Sequence, residues 1–207
     1  MTLAGLGAEV RAWAPGRSWV VRAPVLLWLG WLLTRYWDDR TYFSIWHGIN
    51  LGFHEAGHAL FSYFGWLLGV AGGTILEVAI PIIAAAMLYR QRDWFGVAVA
   101  VCWLGIVCFE VATYANDANR LRLPLVSPWG NPGPAGHDWA NILRHFGVLP
   151  YAQRVAGVWE GLARLFMLGG LAFGAWTLWL MARSKGVPTD PALADEGRRF
   201  LEHAGRR

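Results

Sequence analysis

Residues 46–60 read Trp-His-Gly-Ile-Asn-Leu-Gly-Phe-His-Glu-Ala-Gly-His-Ala-Leu. This is an apolar stretch that carries ionisable groups in its middle. His54, Glu55 and His58 match the pattern H-E-x-x-H. Given the chain's content of His and Glu, that pattern arises by chance in roughly 0.6% of such sequences. On a helix, residues four apart stand one above the other, so both imidazoles reach toward one point. Glu55 then lies beside the open coordination position of a metal held by the pair, where it can take a proton from water. His47, Asn50, His54 and His58 step by 3, 4 and 4, which puts them on one helix face. His47 and Asn50 are therefore candidates to orient the ligands. The competing reading is a polar contact between helices, with the imidazoles bonded to backbone carbonyls.

The rest of the chain says where this stretch sits. Of 207 residues, 56% are hydrophobic and only 15% charged, with 14 Trp. Disorder needs the opposite balance, and two Cys are too few for a disulfide scaffold. One soluble domain of this size has too little interior for so much apolar surface. The net charge of +4 comes from arginines at the ends of apolar segments, as at a lipid surface. No basic stripe interleaved with aromatics is present, so no nucleic-acid partner is expected.

Five apolar segments have the length to cross a bilayer once their flanks are counted. They run over about 19–37, 41–68, 73–89, 94–117 and 156–182. The expected fold is all-α, a polytopic integral membrane protein of about five transmembrane helices (four to six), forming one domain over 1–207. Arg22 is expected to snorkel from the first helix. Gly72-Gly73 is read as the break after the second segment. Pro81 removes the partner of the Glu77 carbonyl, and a kink beside a cavity is expected there. The insertion over 118–150 is Pro- and Gly-rich at its centre, Pro124 to Gly136. A short amphipathic helix follows over 139–146 and ends at Gly147. The polar tail, 184–207, is expected to be solvated, with one weak helix over 192–204. His145 and His203 read as surface residues. Cys102 and Cys108 point apart on one helix and cannot bridge each other.

A catalytic zinc site needs a third protein ligand. Asp117 is the best candidate, because it ends a helix that should run parallel to the motif helix at matching depth. Two carboxylates, Asp117 and Glu55, would also balance a divalent ion. Glu110, Tyr114 and Asp117 share a face, and Glu110, Tyr114 and Glu77 are candidates to support the site. Asp138 reads equally as the N-cap of the helix starting at Trp139 or as a functional group. His137 and Asp138 are candidates for a fourth ligand or a substrate contact. Glu160 is the intramembrane carboxylate without an evident role.

These residues resemble the site-2-protease-like intramembrane zinc metallopeptidases. Within that group the chain is most similar to a small bacterial class, through His54-Glu55-Ala56-Gly57-His58, Gly72-Gly73, Tyr114 with Asp117-Ala118, Leu123-Pro124-Leu125 and His137-Asp138-Trp139. The resemblance covers about 44–148 and places the catalytic core at about 41–148. The family's Asn-Pro-Asp-Gly or Leu-Asp-Gly setting is absent around Asp117. The resemblance implies one Zn2+ held by His54, His58 and Asp117, with Glu55 as general base. It also implies a membrane protein or peptide as substrate, lipids as surroundings, and the bacterial cytoplasmic membrane as location. The alternative class is a metal-binding membrane protein without hydrolysis, an ion or proton transporter or a metal sensor, in which His47 to His58 with Glu77 and Glu110 line a path.

Overall fold

The computed structural model describes residues 3–125 and 134–184. The described residues are helical throughout, with turns between helices and no strand. Seven α-helices follow one another: α1 (Leu3–Trp13), α2 (Ala23–Asp38), α3 (Ile45–Phe61), α4 (Trp66–Arg90), α5 (Trp94–Asp117), α6 (Asp138–His145) and α7 (Ala152–Arg183). The expected tail helix over 192–204 and His203 lie outside the described residues.

Among the described residues, three stretches are long and apolar enough to cross a membrane: Trp66–Arg90, Trp94–Asp117 and Leu149–Arg183. They mark a membrane protein. α2 and α3, with 16 and 17 residues, reach about 24–26 Å at 1.5 Å per residue, short of a hydrocarbon core of about 30 Å. Charged and polar side chains shorten them: α2 runs into Arg35 and Asp38, and α3 carries the His and Glu of the motif. Arg22 stays outside α2 and donates to the Ser18 carbonyl at 2.8 Å.

α5 is the central helix. Its most apolar stretch is 67% buried, against 28% in α4 and 33% in α7. It packs most extensively on α7, where two glycines allow close approach. A Cβ on Gly105 would come within 2.6 Å of Met167 Cγ, and one on Gly170 within 2.5 Å of Cys102 Sγ. The core between them collects Leu29, Leu32, Ile106, Phe109 and Met167. α1, which the sequence reading does not anticipate, lays Val10 and the following Ala14 against Trp94, Phe95, Leu180 and Met181. Cys102 and Cys108 are both free and buried.

The second and third apolar segments divide elsewhere than expected. α3 ends at Phe61, a 3-10 turn covers Ser62–Phe64, and Gly65 reverses the chain at φ 99°. This left-handed conformation favours glycine. Gly72 and Gly73 do not break a helix: α4 runs through them, and also through Pro81. Their role is packing. A Cβ on Gly57 would sit 2.1 Å from the Gly72 carbonyl oxygen, and one on Gly73 would sit 2.5 Å from His54 Nε2. α3 and α4 thus cross in near backbone contact at the level of the motif, as small residues permit in membrane helices. Ala56, also small, is exposed.

Glu160 acquires a role in the folded chain. On α7 it pairs with Arg164 one turn away and with Arg40 at 2.9 Å. It thereby ties α7 to the loop between α2 and α3.

Candidate metal centre

The motif histidines sit in the second half of α3, facing the first half of α4. His54 is buried and His58 partly so. Each uses its two ring nitrogens for separate tasks. His54 Nδ1 lies 3.0 Å from Glu77 Oε2 on α4. His58 Nδ1 lies 2.8 Å from the Gly69 carbonyl oxygen, also on α4. An acceptor at Nδ1 keeps a proton there, so that loss of the Nε2 proton would expose that nitrogen's lone pair to a ligand. Both Nε2 atoms then point at the same carboxylate. Asp138 Oδ2 lies 3.0 Å from His54 Nε2 and 3.2 Å from His58 Nε2.

These three groups form a set whose ligand atoms all lie within 4.8 Å of one another. Bonds of 2.0–2.1 Å in a tetrahedron put ligand atoms about 3.3 Å apart, close to the separations from the carboxylate. The donor set of two imidazoles and one carboxylate is also one that transition metals accept. The group can therefore hold a metal ion. Burial pushes the Asp138 carboxyl up, but hydrogen bonds from His54 and His58 outweigh it and hold it at about 2, so the ligand oxygen is ionised.

The structure thus brings Asp138, and not Asp117, together with the two histidines. Asp117 does not join the group because its carboxylate closes the turn after α5. It accepts from the Arg122 N–H (2.9 Å) and the Leu123 N–H (3.0 Å). His137, the other candidate ligand, is also turned away. It is the N-cap of α6, with Nδ1 accepting from the Ala140 N–H at 3.2 Å. Its Nε2 lies 3.6 Å from Asp117, and its ring stacks on Tyr114. Burial holds this imidazole below its usual value, against the pull of Asp117 and Asp138. The cap expected at Asp138 therefore lies one residue earlier. That shift releases the Asp138 side chain from the backbone and aims it at the histidines.

Tyr114 fastens Asp138 from α5. Its hydroxyl donates to Asp138 Oδ2 at 3.2 Å and accepts from the Asp138 N–H at 3.0 Å. Tyr114 and Glu77 therefore support the group directly. His47, Asn50 and Glu110 do not. They belong to a second polar cluster nearer the start of α3. Glu110 accepts from Asn50 Nδ2 (2.8 Å) and Tyr36 Oη (3.0 Å), and His47 Nδ1 lies 3.7 Å away. Trp103 Nε1 donates to Asn50 Oδ1 at 2.8 Å, and Tyr36 is also 2.9 Å from Ser44 Oγ, the N-cap of α3. The stripe on α3 is real, but it serves two clusters.

Both clusters open onto one cavity of about 290 Å³. Glu55 lines it and has no hydrogen-bond or ion-pair partner among the described residues. Phe43, Leu51, Val111, Leu123 and Leu125 supply an apolar wall. Tyr36, Trp103 and the Gly69 carbonyl are participants that the sequence reading missed. Nothing in local spacing marks them, since each contact crosses between helices. No protein-family model, curated protein or solved structure matches this chain.

Proposed function

We propose that the protein is a membrane-embedded zinc-dependent hydrolase, a metallopeptidase that cleaves a peptide bond in a membrane or juxtamembrane substrate. In this reading α2 and α3 complete an embedded bundle with α4, α5 and α7. His54, His58 and Asp138 hold the ion. A bound zinc ion supplies Lewis acidity, which makes water a nucleophile near neutral pH and polarises a carbonyl. Glu55 takes the proton from the attacking water and delivers it to the leaving amine. Glu77, the Gly69 carbonyl and Tyr114 keep the three ligands oriented. The apolar wall receives the side chains that flank the scissile bond. The supporting observation is the convergence of two imidazole Nε2 atoms and one carboxylate oxygen, with Glu55 lining the same cavity and free of a hydrogen-bond or ion-pair partner among the described residues. The resemblance to site-2-protease-like peptidases points the same way.

The test is metal analysis of the detergent-purified protein together with cleavage of membrane peptides. Wild type should carry about one equivalent of zinc. Glu55→Gln should keep the metal and lose cleavage. Wild-type protein free of transition metal would sink the reading.

A second reading, a metal or proton transporter, draws on the polar groups that share the cavity: His47, Glu110, Glu77 and His54. It predicts metal flux in proteoliposomes that survives Glu55→Gln.

A further inference from the structure

A second cavity, of about 670 Å³, shares Thr113 and Leu123 with the first. It is bounded by the loop between α2 and α3, the turn after α5 and the start of α7. Arg40, Arg120 and Arg122 contribute three positive charges to its lining.

Two carboxylates also line it, but both are committed. Glu160 is shared by Arg40 and Arg164, and Asp117 accepts from two backbone N–H groups. Arg120 and Arg122 have no carboxylate partner among the described residues and are exposed. The turn that presents them is strained. Leu121, between them, adopts φ 52°, a left-handed conformation that a bulky side chain rarely takes. Asp117 holds that turn in place by its bonds to Arg122 and Leu123. Asn116 and Gln153 also line the cavity.

Arg120 and Arg122 thus line this cavity beside the end of α5 without a carboxylate partner among the described residues, a concentration of positive charge that an anion would neutralise. Guanidinium groups match phosphate oxygens in pairs. The volume also exceeds what a single carboxylate would fill. We infer that this cavity is a binding site for a phosphate group, either a phospholipid headgroup or a soluble phosphate, with Arg120 and Arg122 as its principal donors.

The experiment compares wild type with Arg120→Gln/Arg122→Gln. A charge-matched control, Arg90→Gln/Arg183→Gln, removes two arginines at other helix ends. One arm measures inorganic phosphate binding by titration calorimetry in a non-ionic detergent at fixed ionic strength. The other measures phosphatidylglycerol retained against phosphatidylcholine by native mass spectrometry. Loss of about tenfold or more in either arm, confined to the Arg120/Arg122 variant, is the expected result. The phosphate arm alone would identify a soluble ligand, and the lipid arm alone a headgroup. Equal loss in the control would reduce the effect to general surface charge and overturn the site, as would no binding by wild type in either arm. The single variant Arg122→Gln, with the same readouts, serves if the double variant does not fold.

Discussion

Oδ2 of Asp138 lies 3.0 Å from Nε2 of His54, although 84 positions separate the two residues. The contact joins the first residue of α6 to the middle of α3. It places a carboxylate at the point where both motif imidazoles converge. The bond that a metal ion would replace is thus already formed as a hydrogen bond, with the outer nitrogen of each imidazole held by α4.

Asp138 and Asp117 should separate cleanly on substitution. Asp138→Ala removes the carboxylate proposed as third ligand and should abolish stoichiometric metal binding. Asp117→Ala should keep the metal and instead destabilise the turn after α5 by about 1–2 kcal/mol, the cost of a lost capping carboxylate. Metal content by inductively coupled plasma mass spectrometry and thermal unfolding in detergent distinguish the two. Full metal retention in Asp138→Ala would return the third position to another residue.

Glu77 orients His54 without touching the convergence point. Glu77→Ala should weaken metal affinity by about 10–100-fold, as loss of such outer partners does. Glu77→Gln retains an acceptor oxygen and should recover much of it. Competition with a chelator of known affinity measures both. Equal affinities for wild type and Glu77→Ala would remove this role.

The crossing of α3 and α4 depends on missing side chains. Gly57→Ala drives a methyl group against the Gly72 carbonyl, and should cost about 1–3 kcal/mol through overpacking while lowering metal retention. Gly52→Ala, on the same helix, meets nothing within 4 Å and should be neutral or stabilising by up to about 1 kcal/mol. Thermal unfolding of the pair is the measurement. Equal stability of the two variants would mean that the helices are not in contact there.

Asn50 should behave as a structural residue. Asn50→Ala takes one of Glu110's two hydrogen bonds and the acceptor of the Trp103 indole, and should cost about 1–3 kcal/mol. Its metal content should match wild type, because Asn50 contacts neither ligand histidine. Depleted metal with unchanged stability would instead tie Asn50 to the centre.

Metal occupancy should fall as pH is lowered, because proton and metal compete for the same imidazole and carboxylate atoms. Dialysis at stepwise lower pH followed by metal analysis shows the release. Neutralisation in the presence of zinc should restore occupancy if the helices stay assembled.

The sequence by itself determined the local half of this candidate centre. The spacing of His54 and His58 puts both on one face of any helix that contains them, and the apolar setting makes those charges too costly to be incidental. Helical content and the most apolar helices follow from composition and run length in the same way. Glu77 and Tyr114 could also be marked as supporting residues, because each stands out as a polar group in an apolar run. What only the tertiary structure decided are the relationships between helices. The two candidate aspartates carry the same functional group, and spacing along the chain cannot rank them. The choice turns on where one backbone turn ends. After α5 the chain folds back on Asp117 and consumes its carboxylate. At α6 the cap falls on His137, one residue ahead, so the Asp138 carboxylate meets the histidines instead of the backbone. Gly72-Gly73 illustrates the same limit. A glycine pair that can break a helix can equally admit a neighbouring one, and only the presence of α3 at that point selects the second outcome.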